Sequence, residues 1–308
     1  MNDPGDRTVA VTALKRAVPY IRLFKHKTFV IKAGGAVFAE AETMRALVEQ
    51  VGILHQVGIR TVLVHGGGPQ STELARALGL ETQIVEGRRV TDDRALDVSA
   101  MVLNGMINTR LLAACRDLEI PAVGLSGIDA GLIRARRRPP VTKGEKTIDY
   151  GHVGDILSVD PTVLQKHLDS GLMPIVSPLS CDERGNLLNI NADTVAAALA
   201  ARLNAEKLVL VTGAPGILED ENDPSSLVSY TDLSGLQQLR QNGSLSAGML
   251  PKADAIAEAL TGGVQRVHLI SYNVPDSLLL EVFTNEGAGT LVVRDIEALS
   301  PAEQAGAE

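Results

Sequence analysis

The chain has 308 residues, 45% of them hydrophobic and 21% charged. At roughly 150 residues per domain that allows one large domain or two modest ones, and the composition excludes disordered and fibrous classes. Net charge is −8, which argues against a nucleic-acid partner. No apolar run approaches the roughly 18 residues needed to span a bilayer, and the start MNDPGDRTVA lacks a signal-peptide pattern, so no membrane association is expected. Two cysteines, Cys115 and Cys181, make neither a disulfide framework nor a metal cage and fit a reducing cytoplasm. Aromatics are 3% with no Trp, so the core must be aliphatic.

In chain order, Val11–Phe24 has apolar residues at helical spacing interrupted by Pro19, which should kink or split the helix. It is read either as a helix covering the domain or as an arm docking on another subunit. Short β-branched runs then alternate with helical patterns. The strands are Thr28–Lys32, Arg60–Val64, Met173–Val176, Lys207–Val211 and Arg266–Ile270; the helices include Ala41–Gln56, Leu103–Leu118, Val195–Leu203 and Pro251–Leu260. Continuous apolar strands between helices predict a parallel sheet covered on both faces, an α/β sandwich. Gly131–Asp155, rich in Arg, Pro, Lys and Gly, breaks the rhythm and reads as an exposed hairpin or lid. Its basic run, Arg134–Arg138 around Ala135, is read as solvated. The Ala/Glu/Pro-rich tail after Val293 is expected to be poorly ordered.

Glycine turns directly after strands carry the functional signal. Lys32-Ala33-Gly34-Gly35 follows the first strand, and His65-Gly66-Gly67-Gly68-Pro69 follows another and opens a helix. Such turns let backbone N–H groups face an anion, helped by the helix dipole. One GG pair could serve only a tight turn; GG and GGG in two turns at strand carboxyl ends favour a ligand. There is no Walker-type loop and no G-x-G-x-x-G. Lys32 at a strand end could neutralise a phosphoryl group, though alone it is weak evidence. Asn189-Ile190-Asn191-Ala192-Asp193 is first a helix cap, but three polar groups at alternate positions exceed that need and could bind a small polar substrate and orient a lysine. Lys252 opens a helix, where its charge opposes the dipole, so an anion-binding role is favoured. Arg89 suits a substrate carboxylate.

Together KAGG, VHGGGPQ, GRRVTD, AVGLSGIDAG, NINADTVAAALAA and GMLPKADA, in that order from about Val11 to Val293, resemble the amino acid kinase family, and within it the members that phosphorylate N-acetyl-L-glutamate with ATP. The resemblance implies a three-layer αβα sandwich with a mainly parallel central sheet. It implies an N-terminal helix at 8–26, an N-terminal lobe at 27–210 holding the amino-acid substrate, a C-terminal lobe at 211–296 holding ATP, and a flexible tail at 297–308. Lys32 and Lys252 resemble the two lysines that stabilise the transferring phosphoryl group, and Asp193 the carboxylate that orients them. Gly34, Gly35, Gly67 and Gly68 would present N–H groups to phosphoryl oxygens and substrate. Arg89, Asn189 and Asn191 would hold the substrate's carboxylate and acetamido groups, and Thr212, Gly213, Gly216, Gly248 and Met249 the nucleotide. Mg2+ would accompany ATP, with no metal-ligating residues of the chain's own. The attacking carboxylate is already ionised at pH 7, so no general base is required.

Arginine-sensitive members carry an N-terminal helix that interlaces dimers. That implies a homo-oligomer, either a dimer or a hexamer built as a trimer of dimers, with an L-arginine site at Tyr20, Lys207, His268, Glu281, Gly287 and Gly289. Two stretches depart from the family. Thr212-Gly213-Ala214-Pro215-Gly216 replaces the usual Thr-Asp, and Ser271-Tyr272-Asn273 replaces the usual Asp-Gly-Arg. HLISY, FVIK and VGILHQVGIR are more similar to the kinase-type domain of N-acetylglutamate synthases. A catalytically silent arginine sensor is therefore a second reading, disfavoured because it has no reason to keep both lysines. With only a short tail after Val293, no acetyltransferase domain is expected. A third reading is a kinase for a related acidic substrate such as an aminoadipate derivative, the basic Arg134–Arg138 run receiving an acidic carrier protein.

Overall fold

The computed structural model describes residues 4–85, 88–143, 146–246, 248–284 and 287–296. The expected tail at 297–308 lies outside them. Alternation of side chains along the strands builds the architecture. In Thr28–Ala33, Val30 joins one hydrophobic cluster while Phe29, Ile31 and Ala33 join another; Leu208 and Leu210 divide from Val209 and Val211 in the same way. Period-two alternation with apolar residues on both sides demands cover on both faces, and helices supply it. The result is a three-layer αβα sandwich. Each fully buried aliphatic side chain contributes on the order of 1.5–3 kcal/mol.

Among the described residues the central sheet has eight strands, in the order Tyr230–Asp232, Gly289–Val293, Arg266–Ser271, Lys207–Thr212, Thr28–Ala33, Arg60–His65, Met173–Ser177, Ala122–Ser126. All pairings are parallel except that of Arg266–Ser271 with Gly289–Val293. The five strands expected from sequence each run one residue further at the carboxyl end. The division at 210/211 falls inside Lys207–Thr212, a strand paired on both sides, so the sheet is continuous across it.

Three expectations change. Pro19 does not split the first helix, which runs from Pro4 to Phe24 as one element. Proline's fixed φ is compatible with a helix, its cost being a lost hydrogen bond and crowding, and Tyr20 and Phe24 dock the following turn on the core. The helix expected at Leu103–Leu118 begins earlier. Asp92 caps its start by accepting from the Ala95 N–H (2.8 Å), and the helical stretch continues through a π-helical segment, Met101–Asn108, to Asp117. By length and composition this stretch is apolar enough to cross a membrane, contrary to the expectation for the chain, but Leu96, Val98, Val102, Leu103, Ile107 and Leu111 are buried within the fold. Finally, Gly131–Asp155 is only partly an exposed hairpin. Ile133–Arg137 and Gly154–Val159 pair in a second sheet with Leu179–Cys181 and Leu187–Asn189, and Leu132, Ile133, Ala135 and Tyr150 are buried. Three of its four arginines are ion-paired: Arg134 with Glu183, Arg137 with Asp149, Arg138 with Asp155.

Candidate active site

The carboxyl ends of Thr28–Ala33 and Arg60–His65 open on a cavity of about 290 Å3, near the lower end of small-molecule sites, roughly 300–1,000 Å3. Lys32, Gly34, Gly35, Gly67, Gly68, Arg89, Asn189, Asn191 and Asp193 all line it. Gly66 spends its N–H on the Ala33 carbonyl (2.9 Å), tying the two turns together. Gln70, which sequence reasoning passed over, adds a second tie through its Nε2, donating to the Gly35 carbonyl (2.7 Å); its place right after GGGP was the available signal.

Asp193 is the hub. Its Oδ1 lies 2.8 Å from Lys32 Nζ, and its Oδ2 accepts from Lys252 Nζ at 3.5 Å. Asp193 and Lys32 are both nearly fully buried. Burial pushes the Lys32 pKa down, opposed by Asp193 and reinforced by the Lys252 charge. Burial pushes Asp193 the other way, but the two lysines outweigh it and hold the carboxyl below its ordinary value. Two cations on one carboxylate leave a surplus positive charge beside the cavity.

Asn191 is the helix cap, its Oδ1 accepting from the Asp193 and Thr194 N–H groups (2.8 and 3.3 Å); the cap therefore fixes the hub. Asn189 receives its orientation from its backbone N–H, donated to the His152 carbonyl (2.8 Å). Arg89 is already held: Nη1 donates to Thr82 Oγ1 (3.0 Å), Nη2 to the Gly68 carbonyl (3.0 Å) and to Thr72 Oγ1 (2.6 Å). Burial lowers its pKa.

The residues expected at the nucleotide lie outside this cavity lining. Gly248 is exposed at the approach to the Lys252 helix, while Met249 packs against the core. Thr212 Oγ1 donates to the Ala214 carbonyl (3.0 Å). Gly216 is buried where a Cβ would meet Leu227 at 2.7 Å, so packing alone accounts for that glycine. The two departures from the family pattern touch each other. Asn273 Nδ2 donates to the Gly213 carbonyl (2.9 Å), and a Cβ at Gly213 would stand 3.2 Å from Tyr272 Oη.

A second cluster gathers Lys207, His268, Glu281 and Gly287. Lys207 Nζ lies 3.2 Å from His268 Nε2 and 4.9 Å from the Phe24 ring centroid. His268 Nδ1 is 2.5 Å from Glu281 Oε1, and Glu281 Oε2 accepts from the Ala288 N–H (2.6 Å) beside Gly287. Burial drives Lys207 down to about 8 and His268 down to about 4. The Glu281 side chain is only 7% exposed. Gly289 sits in the Gly289–Val293 strand, where a Cβ would collide with the Leu269 carbonyl. Tyr20 packs on the same core as Phe24.

Among the described residues no group of three His, Cys, Asp or Glu could hold a metal.

A glycine-lined, cation-rich cavity at the carboxyl ends of parallel strands defines a phosphoryl-binding α/β protein. Residues 27–271 match the Amino acid kinase family, and the chain belongs to that family. It is similar to the acetylglutamate kinase of Myxococcus xanthus, at 48% identity over 96% of this chain and 97% of the relative. It is similar also to that of Symbiobacterium thermophilum, at 46% over 91% and 96%. Among solved structures, N-acetylglutamate synthase from Neisseria gonorrhoeae complexed with coenzyme A and L-arginine superposes with TM-score 0.80 at 30% identity, over 92% of this chain and 65% of the synthase. The chain thus spans about two thirds of that synthase.

Proposed function

We propose that this protein transfers the γ-phosphoryl group of ATP to the side-chain carboxylate of N-acetyl-L-glutamate, giving N-acetylglutamyl 5-phosphate in the cytoplasm, a step of arginine biosynthesis. The observation that carries the reading is Asp193 holding both Lys32 and Lys252 beside two glycine turns; full-length relatives named acetylglutamate kinase support it. A carboxylate oxygen attacks the γ-phosphorus and ADP leaves with the electrons of the broken P–O bond. The obstacle is repulsion between two anions. The surplus charge of the lysine pair and the N–H groups of Gly67 and Gly68 stabilise the equatorial oxygens as charge builds. Arg89 anchors the substrate's α-carboxylate, and Asn189 its acetamido group. Mg2+ would supply further charge neutralisation on the nucleotide. An ATP-dependent hydroxamate assay comparing N-acetylglutamate, glutamate, aspartate and aminoadipate tests the reading. Acyl phosphate from N-acetylglutamate alone is expected; none from any substrate would favour the silent sensor.

We further propose that L-arginine inhibits through the Lys207–His268–Glu281 cluster under the first helix, in a ring of interlaced dimers. What supports it is the Glu281 carboxylate, its side chain only 7% exposed, in a cluster that reaches Phe24 at the end of that helix, together with the arginine complex of the related synthase. Arginine must then bind the open arrangement more tightly than the closed one. Full-length protein should scatter light as a hexamer and lose activity in millimolar arginine, while a chain lacking residues 1–25 should be an active, arginine-blind dimer. A full-length dimer indifferent to arginine overturns this.

A further inference from the structure

The glycine loop after Arg60–His65 is backed by the π-helical segment Met101–Asn108. The buried side of this segment consists of Val102, Leu103, Ile107 and Asn108. A Cβ at Gly67 would stand 2.7 Å from Ile107 Cδ1 and 2.8 Å from Leu103 Cδ2, so these side chains support the loop from behind.

Asn108 is the polar member of that face. Its Nδ2 donates to the Ile175 carbonyl (3.1 Å) and lies 3.2 Å from His65 Nε2. A carbonyl only accepts, so the amide nitrogen, not its oxygen, must occupy this corner. Its second hydrogen then points at Nε2, which must carry a lone pair. His65 is fully buried and its pKa is pushed down to about 4, so the ring is neutral and its one proton sits on Nδ1. That atom lies 3.3 Å from the Gly66 carbonyl. In a trans peptide the C=O and the following N–H point opposite ways. Holding the Gly66 carbonyl therefore turns the Gly67 N–H away from the ring, and Gly67 lines the cavity.

We propose that Asn108 and His65 are positioning residues: the Asn108 amide fixes the His65 tautomer, the ring fixes the Gly66 carbonyl, and the Gly67 N–H is thereby aimed at the transferring phosphoryl group. The inference rests on the kinase reading and adds to it a support that contacts neither substrate.

The test uses the full chain with 15N-labelled histidine. In the wild type, the NMR signals missing from His65→Gln should report a protonated Nδ1 and a bare Nε2. Asn108→Asp presents an acceptor to Nε2 and should move the proton there, lowering kcat about 10- to 100-fold, part of the loss seen on removing one oxyanion donor. The KM for both substrates should stay within about threefold. Gly124→Ala provides a second route that leaves the pair's chemistry intact, because a Cβ there collides with Asn108 Oδ1 and displaces the amide; the same kcat loss is expected. An active wild type with its His65 proton on Nε2 overturns the relay and leaves the kinase reading standing. So does a folded variant, Asn108→Asp or Gly124→Ala, whose kcat stays within threefold. A wild type that makes no acyl phosphate overturns both.

Discussion

Lys32 and Lys207 lie on adjacent parallel strands, and each is buried with a carboxylate, yet the two clusters are built for opposite ends. Lys32 is next to the last residue of its strand, whereas Lys207 is the first of its own, so they occupy opposite edges of the sheet. Register sets their faces: Phe29 pairs with Lys207 and Lys32 with Leu210, which puts Lys32 on the Val30 side and Lys207 on the Val209 side. Around Lys32 two lysines share one carboxylate, and the surplus charge opens on a cavity. Around Lys207 one lysine, one carboxylate and a neutral histidine balance, and Glu281 is satisfied by His268 and Ala288. An unbalanced buried cation is tolerable only where an anion is to arrive, since uncompensated buried charge is costly. A balanced cluster costs less to keep buried. On the proposed reading the first cluster serves chemistry and the second control.

The largest effect should come from unbalancing the first cluster. Lys32→Ala and Lys252→Ala should each lower kcat roughly 100- to 1000-fold, the usual cost of one electrostatic stabiliser, with a much smaller rise in the KM for N-acetylglutamate. Lys207→Met should keep kcat within about threefold when arginine is absent. Steady-state kinetics on the three variants decide the matter. Near-wild-type kcat in either of the first two, or a collapse in the third, would erase the distinction drawn between the clusters.

Next in size is the response to acid. His65 and His268 are buried neutral rings with pKa values near 4, against 6.5 when unfolded. Between those values the unfolded chain binds more protons, so stability rises with pH. This contribution is fully present above about pH 6.5 and is lost as pH falls towards 4, roughly 3 kcal/mol per ring. Denaturant unfolding at several pH values should show the slope, and His268→Gln should remove one proton from it. An unchanged slope would mean that His268 is already charged beside Glu281.

The Lys32–Asp193–Lys252 cluster was legible because each of its signals is local. Lys32 precedes a glycine pair, Asp193 follows an Asn cap, and Lys252 stands at a helix start where its charge is unfavourable. Strand runs were equally plain, since β-branched stretches such as Thr28–Ala33 have no competing helical period, and Ala41–Gln56 shows an unbroken one. Other features depend on register between distant segments. Asn108 meets His65 across 43 positions, from a segment that is locally π-helical, and no local sequence signal marks that contact. Gly213 and Tyr272 looked like separate departures from the family. The alignment of Thr212 with Ser271 in adjacent strands makes them one local arrangement. The continuity of the first helix through Pro19 depended on where Tyr20 and Phe24 could dock, which its sequence does not state.

The smallest effect sharpens the boundary of the catalytic cluster. Arg89 is less buried than Lys32 in the cavity lining, and its Nη atoms are committed to Thr82, Thr72 and the Gly68 carbonyl. Its remaining N–H groups are the ones left for a ligand carboxylate. Arg89→Lys keeps the charge but loses the planar fork, so it cannot hold both the loop and a substrate. If Arg89 is chiefly a substrate anchor, the KM for N-acetylglutamate should rise about tenfold, a change of ~1.4 kcal/mol, with kcat and the KM for ATP within about threefold. If its main task is to clamp Gly68, kcat should fall instead while substrate KM holds, because a displaced loop amide is felt in the transition state more than in binding. The first outcome places the limit of phosphoryl chemistry at the glycine loop and makes Arg89 a recognition residue. The second would extend that chemistry outward to include Arg89 alongside Lys32 and Lys252.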